Sequence, residues 1–457
     1  MINSPGIRRS NRPVRHARLK LPLLVAALVA ALVVGSCSLG PPSATGTVPV
    51  TAPPIATAPA KASSPVSAAP TAAASPIGAP TTALPTATLP AVLHGPPAST
   101  PAPAATIAAC SVRTFDSMSE AERIGQLFFV SEDGDALAPE DASAIRTDHF
   151  GSVWLSGNRS VGVAAIRRLS DSIQALATSG ATARVRFFVA ADQEGGLVQR
   201  LAGPGFSTIP SALQQGLLTP VALEAHAQTW GRELAAAGVN VDLAPVMDVV
   251  PPGTDASNEP IGALQREYGH DLAVVAPHGV AVIRGMAAAG VATSLKHFPG
   301  LGRVTGNTDS TAGVVDAVTT ADDPYLASFQ AGMAAGAPFV MVSLATYAAI
   351  DPAHPATFSP TIVTTLLRDR LGFGGLILSD SLTATAAQAV PVSSRGVEFL
   401  AAGGDMMIVS GMATAAAIAQ GIAARAATDA SFARLVDAAV LRVLRLKGAY
   451  GLLPCAG

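Results

Sequence analysis

Beyond Ser111 the chain alternates between two patterns of apolar and polar positions. Short, nearly continuous apolar runs have the length and content of strands buried on both faces: Gly151 to Leu155, Val185 to Ala191, Val239 to Pro245, Val291 to Leu295, Phe339 to Leu344, Leu376 to Ser379 and Met406 to Val409. Between them lie amphipathic or alanine-rich stretches of helical length, among them Val221 to Ala237, Asp271 to Ala289, Pro360 to Arg370 and Thr414 to Ala426. Buried parallel strands alternating with helices predict an α/β fold. Seven or eight such units favour a single-domain (β/α)8 TIM-type barrel over a doubly wound sheet.

The first hundred residues follow neither pattern. Arg8, Arg9, Arg12, Arg15, Arg18 and Lys20 precede a fourteen-residue apolar run from Leu21 to Val34, with no acidic residue among them. This is the layout of a secretory signal, and the run is too short for a comfortable membrane span. It ends Val34-Gly35-Ser36-Cys37, which resembles a bacterial lipobox. The expectation is a lipoprotein signal peptide over 1–36, lipidation of Cys37, and a protein exported and anchored to the outer face of the cell membrane. From Ser38 to Ala109 the sequence is almost wholly Ala, Pro, Thr and Ser, with Lys61 its one charged side chain, and 16 of the 36 prolines fall between Pro41 and Pro103. Such a tract buries little and is held extended by proline, so residues 37–109 read as a disordered linker and 110–457 as the barrel domain.

Charge narrows the partners. The whole chain carries a formal net charge of -2, and loss of residues 1–36 leaves 23 basic against 31 acidic residues, about -8. Bulk attraction to nucleic acid is thereby excluded. The two remaining cysteines, Cys110 and Cys455, stand at the two ends of the globular part. Export places them in an oxidising compartment and domain termini are often close, which predicts a disulfide between them. No CxxC or closely spaced Cys/His pair suggests a metal, and neither Gly300-Leu301-Gly302 nor Gly372-Phe373-Gly374-Gly375 is placed as a phosphate loop.

Several predicted strands run directly into polar residues. Val185 to Ala191 leads into Asp192-Gln193-Glu194-Gly195-Gly196 with Arg200 close behind. Val239 to Pro245 contains Asp242 and leads to Asp248, Val291 to Leu295 into Lys296-His297, and Leu376 to Ser379 into Asp380. Singly, Asp380 could cap a helix, His297 could be a satisfied core histidine and Asp242 a buried hydrogen-bonded carboxylate. Together at the C-terminal ends of barrel strands they mark one site. Carboxylates with one Lys, one His and one Arg suit a polyhydroxyl ligand and a developing positive charge. A retaining glycosidase needs such a carboxylate to attack the anomeric carbon and a second group to protonate the leaving oxygen.

Four ordered motifs closely resemble glycoside hydrolase family 3, over about Met118 to Leu453: Asp192 to Gly196 with Val198 and Arg200; Asn240 to Val249; Lys296-His297-Phe298-Pro299-Gly300; and Gly372-Phe373 followed by Ser379-Asp380. They look most like its β-N-acetylhexosaminidases. The resemblance implies that Asp380 is the nucleophile of a covalent glycosyl-enzyme intermediate. It also implies that Asp192, Arg200, Lys296 and His297 hold the sugar hydroxyls. Arg266, in Ile261 to Gly269, stands where the family has an arginine of an RSFG-like stretch, here degenerate. By the same resemblance the single-domain form implies N-acetylglucosaminide chemistry; for an exported lipoprotein the expected substrate is peptidoglycan or its fragments, specifically GlcNAc-MurNAc units, with no metal or organic cofactor indicated and a monomer expected.

One departure matters. The family's hexosaminidases end the next loop in Asp-Ser-His, whose His is the acid/base. Here the loop reads Asp309-Ser310-Thr311, and the next histidine is His354. A threonine hydroxyl does not titrate near neutrality. Asp309 is therefore the candidate acid/base, the alternatives being recruitment of a residue such as His354 or slow hydrolysis. An exo-acting β-N-acetylglucosaminidase of cell-wall turnover is the leading function. A muropeptide-binding receptor or sensor that has lost its acid/base is the second, and phosphorolysis the third.

Overall fold

The computed structural model describes residues 104–455, so the expected signal peptide, the expected lipidation site Cys37 and the expected linker up to residue 103 lie outside the described residues. Eight strands, β1 (Phe128–Glu132), β2 (Ser152–Leu155), β3 (Phe188–Ala191), β4 (Val241–Asp242), β5 (Ala292–Phe298), β6 (Phe339–Val342), β7 (Leu376–Ser381) and β8 (Met406–Val409), close into a barrel in sequential order. All neighbouring pairs are parallel, including the closing pair β1 and β8, in which Phe129 faces Ile408. A helix follows every strand, as the alternating pattern requires.

Strand β1 is absent from the expected set. It follows directly on the helix Glu120–Gly125, which starts with a Ser119/Glu122 capping box, and Ile124 to Val130 form one buried run with no change of period between helix and strand. Phe129, Phe188 and Phe339 pack at the barrel's N-terminal end, with Phe188 and Phe339 edge to face at 5.6 Å. Lys447 from the C-terminal helix Ala430–Ala449 is fully buried beside them and donates to Gln126 Oε1 and the Gly151 carbonyl, each at 2.7 Å.

The first described helix, Ala104–Ser117, begins six residues inside the stretch assigned to the linker, because its side chains continue onto the C-terminal helix. Ile107, for instance, reaches Gly448. Cys110 and Cys455 form a disulfide across 345 residues, with Cα atoms 5.9 Å apart. Closing so long a loop removes much freedom from the unfolded chain, so replacing both cysteines by serine should destabilise the domain by about 2–5 kcal/mol. Thermal melting checks this: the double variant should match the reduced wild type and melt below the oxidised one. Equal midpoints for all three would show that helix packing alone holds the ends.

Candidate active site

The functional side chains stand where barrel strands end. Asp192 follows β3 immediately, and Asp242 ends β4 one strand over. Two strands carry irregularities at the residues that matter. The pairing of β5 with β6 shifts register between Leu295 and Phe298, so that Lys296 and His297, adjacent in sequence, both face the same cavity. The pairing of β7 with β8 shifts between Leu378 and Ser381, and Asp380 lies at that break. Such bulges re-aim side chains that a regular strand would send to opposite faces.

One cavity of about 180 Å³ at this end of the barrel receives Asp192, Arg200, Arg266, Lys296, His297, Asp309 and Asp380. Residues the sequence had not singled out also line it, above all Trp154 from β2. The Trp154 indole donates to Asp192 Oδ2 at 2.9 Å, and Lys296 Nζ reaches Asp192 Oδ1 at 2.5 Å and Glu194 Oε1 at 2.6 Å. Arg266 grips Glu194 with two hydrogen bonds, 2.8 and 2.7 Å, and its Nη2 lies 3.4 Å from His297 Nε2. His297 Nδ1 meets Asp248 Oδ2 at 2.8 Å, while Asp248 Oδ1 accepts from the backbone of His297 and Leu301. Asp248 thus fixes the ring and leaves Nε2 toward the cavity.

Asp242 does not line the cavity. It is fully buried, and its Oδ1 accepts from the Gln193 backbone at 3.0 Å, which steadies the turn carrying Asp192 and Glu194. Burial pushes its carboxyl up to about 7. Arg200 donates to Asn158 at 2.8 Å, while its buried Nε has no partner among the described residues.

Charge balance sets which groups can titrate. Burial would raise the Glu194 carboxyl, but Arg266 and Lys296 outweigh it and hold it well below the usual carboxylate range. The reverse holds for Lys296: burial would lower it, yet Asp192 and Glu194 raise it above its ordinary value. Glu194 is therefore a fixed anion that keeps two cations charged and in place. In the sequence Glu194 stands out only as part of a motif, and its bond to a residue 72 positions away reveals its part.

Asp309 behaves differently. Asp309 is exposed at the cavity mouth, yet partial desolvation there raises its carboxyl, and the neighbouring Asp380 raises it further, against the opposing pull of His297 and Arg266. Its loop is tied to the segment after β7, since the Asp309 carbonyl accepts from Thr385 N and the Thr308 carbonyl from Ala386 N, both at 3.1 Å. The two carboxylates are thereby held on one frame. Asp380 Oδ1 accepts from the next backbone amide, Ser381 N, at 2.7 Å. Thr311 is exposed and outside the cavity lining. His354 is also outside it, in an exposed segment where it pairs with Asp351 at 3.1 Å.

Known proteins resemble this chain in sequence and fold. The model of the glycosyl hydrolase family 3 N terminal domain matches residues 120–446. A beta-hexosaminidase of Stenotrophomonas maltophilia (strain R551-3) is 35% identical over 277 residues, which cover 56% of this chain and 78% of that protein. The crystal structure of a beta-N-acetylhexosaminidase from Beutenbergia cavernae DSM 12333 superposes with a TM-score of 0.71 at 49% identity, covering 72% of this chain and 99% of that one. M tuberculosis LpqI superposes with a TM-score of 0.62 at 26% identity, covering 75% of this chain and 96% of that one.

Proposed function

The chain belongs to glycosyl hydrolase family 3 and is a glycoside hydrolase of its β-hexosaminidase kind, from which we propose a retaining exo-β-N-acetylglucosaminidase that removes terminal GlcNAc from peptidoglycan fragments. The observation that carries the reading is that Asp380 and Asp309 line one cavity, where the charge of Asp380 helps to raise the Asp309 carboxyl. Asp380 attacks the anomeric carbon and the glycosidic C–O bond breaks, while the Asp309 proton passes to the departing oxygen. Asp309, now ionised, takes a proton from water, whose oxygen displaces Asp380 and releases the sugar with its configuration retained. Asp192, Arg200, Lys296 and His297 hold the sugar hydroxyls, and Arg266 acts with Glu194 to keep that set in register.

The saccharide is an N-acetylglucosaminide, as the relatives' names suggest, and GlcNAc-MurNAc units are the form an exported enzyme would meet. In this reading Cys37 carries the lipid that holds the protein at the outer face of the membrane, and the enzyme works as a monomer in wall turnover. The Thr311 substitution gives the receptor reading its one support, since a binder needs no proton shuttle.

The test is turnover by the full chain of an aryl β-N-acetylglucosaminide and of GlcNAc-MurNAc, with the product followed by proton NMR. Both should be cleaved, and β-GlcNAc should appear before mutarotation. Release of α-GlcNAc first would overturn retention. Binding of GlcNAc without cleavage of either substrate would replace the hydrolase by the receptor.

A further inference from the structure

A second cluster lies behind the arginine that faces the cavity. Arg266 turns toward Glu194, and the next residue, Glu267, is fully buried with neither carboxylate oxygen hydrogen-bonded among the described residues. Asp255 Oδ1 is likewise buried without a hydrogen bond, and His270 Nδ1 stands 3.5 Å from it. One donor atom each from Asp255, Glu267 and His270 lies within 4.8 Å of the other two. Three orphaned acceptor oxygens gathered out of water beside an imidazole repel one another unless something positive lies between them.

We propose that Asp255, Glu267 and His270 bind a divalent cation of the zinc class at a site separate from the catalytic cavity. Two carboxylates and one imidazole are donors that zinc accepts in tetrahedral geometry, with water in the fourth position. Calcium and magnesium want more oxygens and do not favour imidazole. His270 would coordinate through Nδ1 with its proton on Nε2, giving up the hydrogen bond that a protonated Nδ1 donates to the Val250 carbonyl at 3.3 Å. The Asp255 and His270 side chains are 36% and 35% exposed, which gives an ion a way in.

Neither cysteine and histidine spacing nor the family resemblance points to a metal here. This ligand set has no cysteine and is spread over sixteen residues of irregular chain, so no short motif announces it. Bound there, the ion would tie the turn Asp255–Ser257 to the segment from Arg266 to His270 and so steady the chain that presents Arg266 to Glu194. The competing account is a single proton shared between Glu267 and Asp255.

The experiment strips the full chain with a chelator, removes the chelator, and adds zinc chloride, with manganese and calcium chloride in parallel. Bound metal is counted by plasma mass spectrometry and the thermal midpoint is read with and without metal. The wild type should take up one equivalent of zinc and melt higher with it, calcium should not reproduce the rise, and His270→Ala and Glu267→Gln should lose both effects. His270→Ala changes a half-exposed side chain and decides the matter should Glu267→Gln not fold. Uptake of one equivalent by His270→Ala would place the zinc elsewhere, and no uptake by the wild type would leave the shared proton; either result overturns the site.

Discussion

Asp380→Asn is expected to lower kcat by at least ~10³-fold on aryl and disaccharide substrates alike, while GlcNAc binding stays close to wild type. The amide keeps the shape of the carboxyl and the hydrogen bond from Ser381 N to its oxygen, so the cavity keeps its form. What it lacks is the negative charge that attacks the anomeric carbon. Both steps depend on that charge, since Asp380 is nucleophile in the first and leaving group in the second. Steady-state rates with isothermal titration of GlcNAc measure the effect. Mass spectrometry of wild type quenched during turnover of an aryl substrate should find a hexosamine on the peptide holding Asp380, and none in the variant. Undiminished turnover by Asp380→Asn would mean that the substrate's own acetamido oxygen attacks, a route that also retains configuration.

The barrel was largely legible because burial on both faces gives parallel strands a compositional signature that survives without homologues. Met406–Val409 has the bounds the apolar run suggests, and helix Leu272–Ala288 lies inside the expected Asp271 to Ala289. Where the reading failed, backbone partners decided the outcome. Val185 and Phe187 flank Arg186 in a segment expected to be strand, but Arg186 N bonds to the Leu452 carbonyl and not to a neighbouring strand. Lys296 and His297 lie inside β5, not after it, since a strand's end is set by pairing and not by polarity. The site divides in the same way. Residues at strand ends could be picked out by position, whereas Glu194 and Trp154 act through partners far along the chain. The cluster of Asp255, Glu267 and His270 escapes for the same reason, since only the fold shows that its oxygens lack donors.

Asp309→Asn should separate the two substrates. A nitrophenolate leaves without help, so kcat/KM for the aryl glycoside should change little, whereas a sugar alkoxide needs the proton and kcat/KM for GlcNAc-MurNAc should fall by ~10²- to 10⁴-fold. The second step also needs Asp309, as base toward water, so kcat on the aryl substrate should drop as the glycosyl-enzyme accumulates. Azide needs no deprotonation, and adding it should restore that kcat and yield a glycosyl azide. The pH profile carries a further signature. A general acid works protonated, so activity on the disaccharide should hold below the carboxyl's value and fall as pH rises through it. Partial desolvation and the charge of Asp380 raise that value, with His297 and Arg266 pulling against them, so the falling limb should lie above where an ordinary aspartate would place it. In Asp309→Asn that limb should vanish. Disaccharide activity with an unaltered limb in the variant would transfer the role to another group.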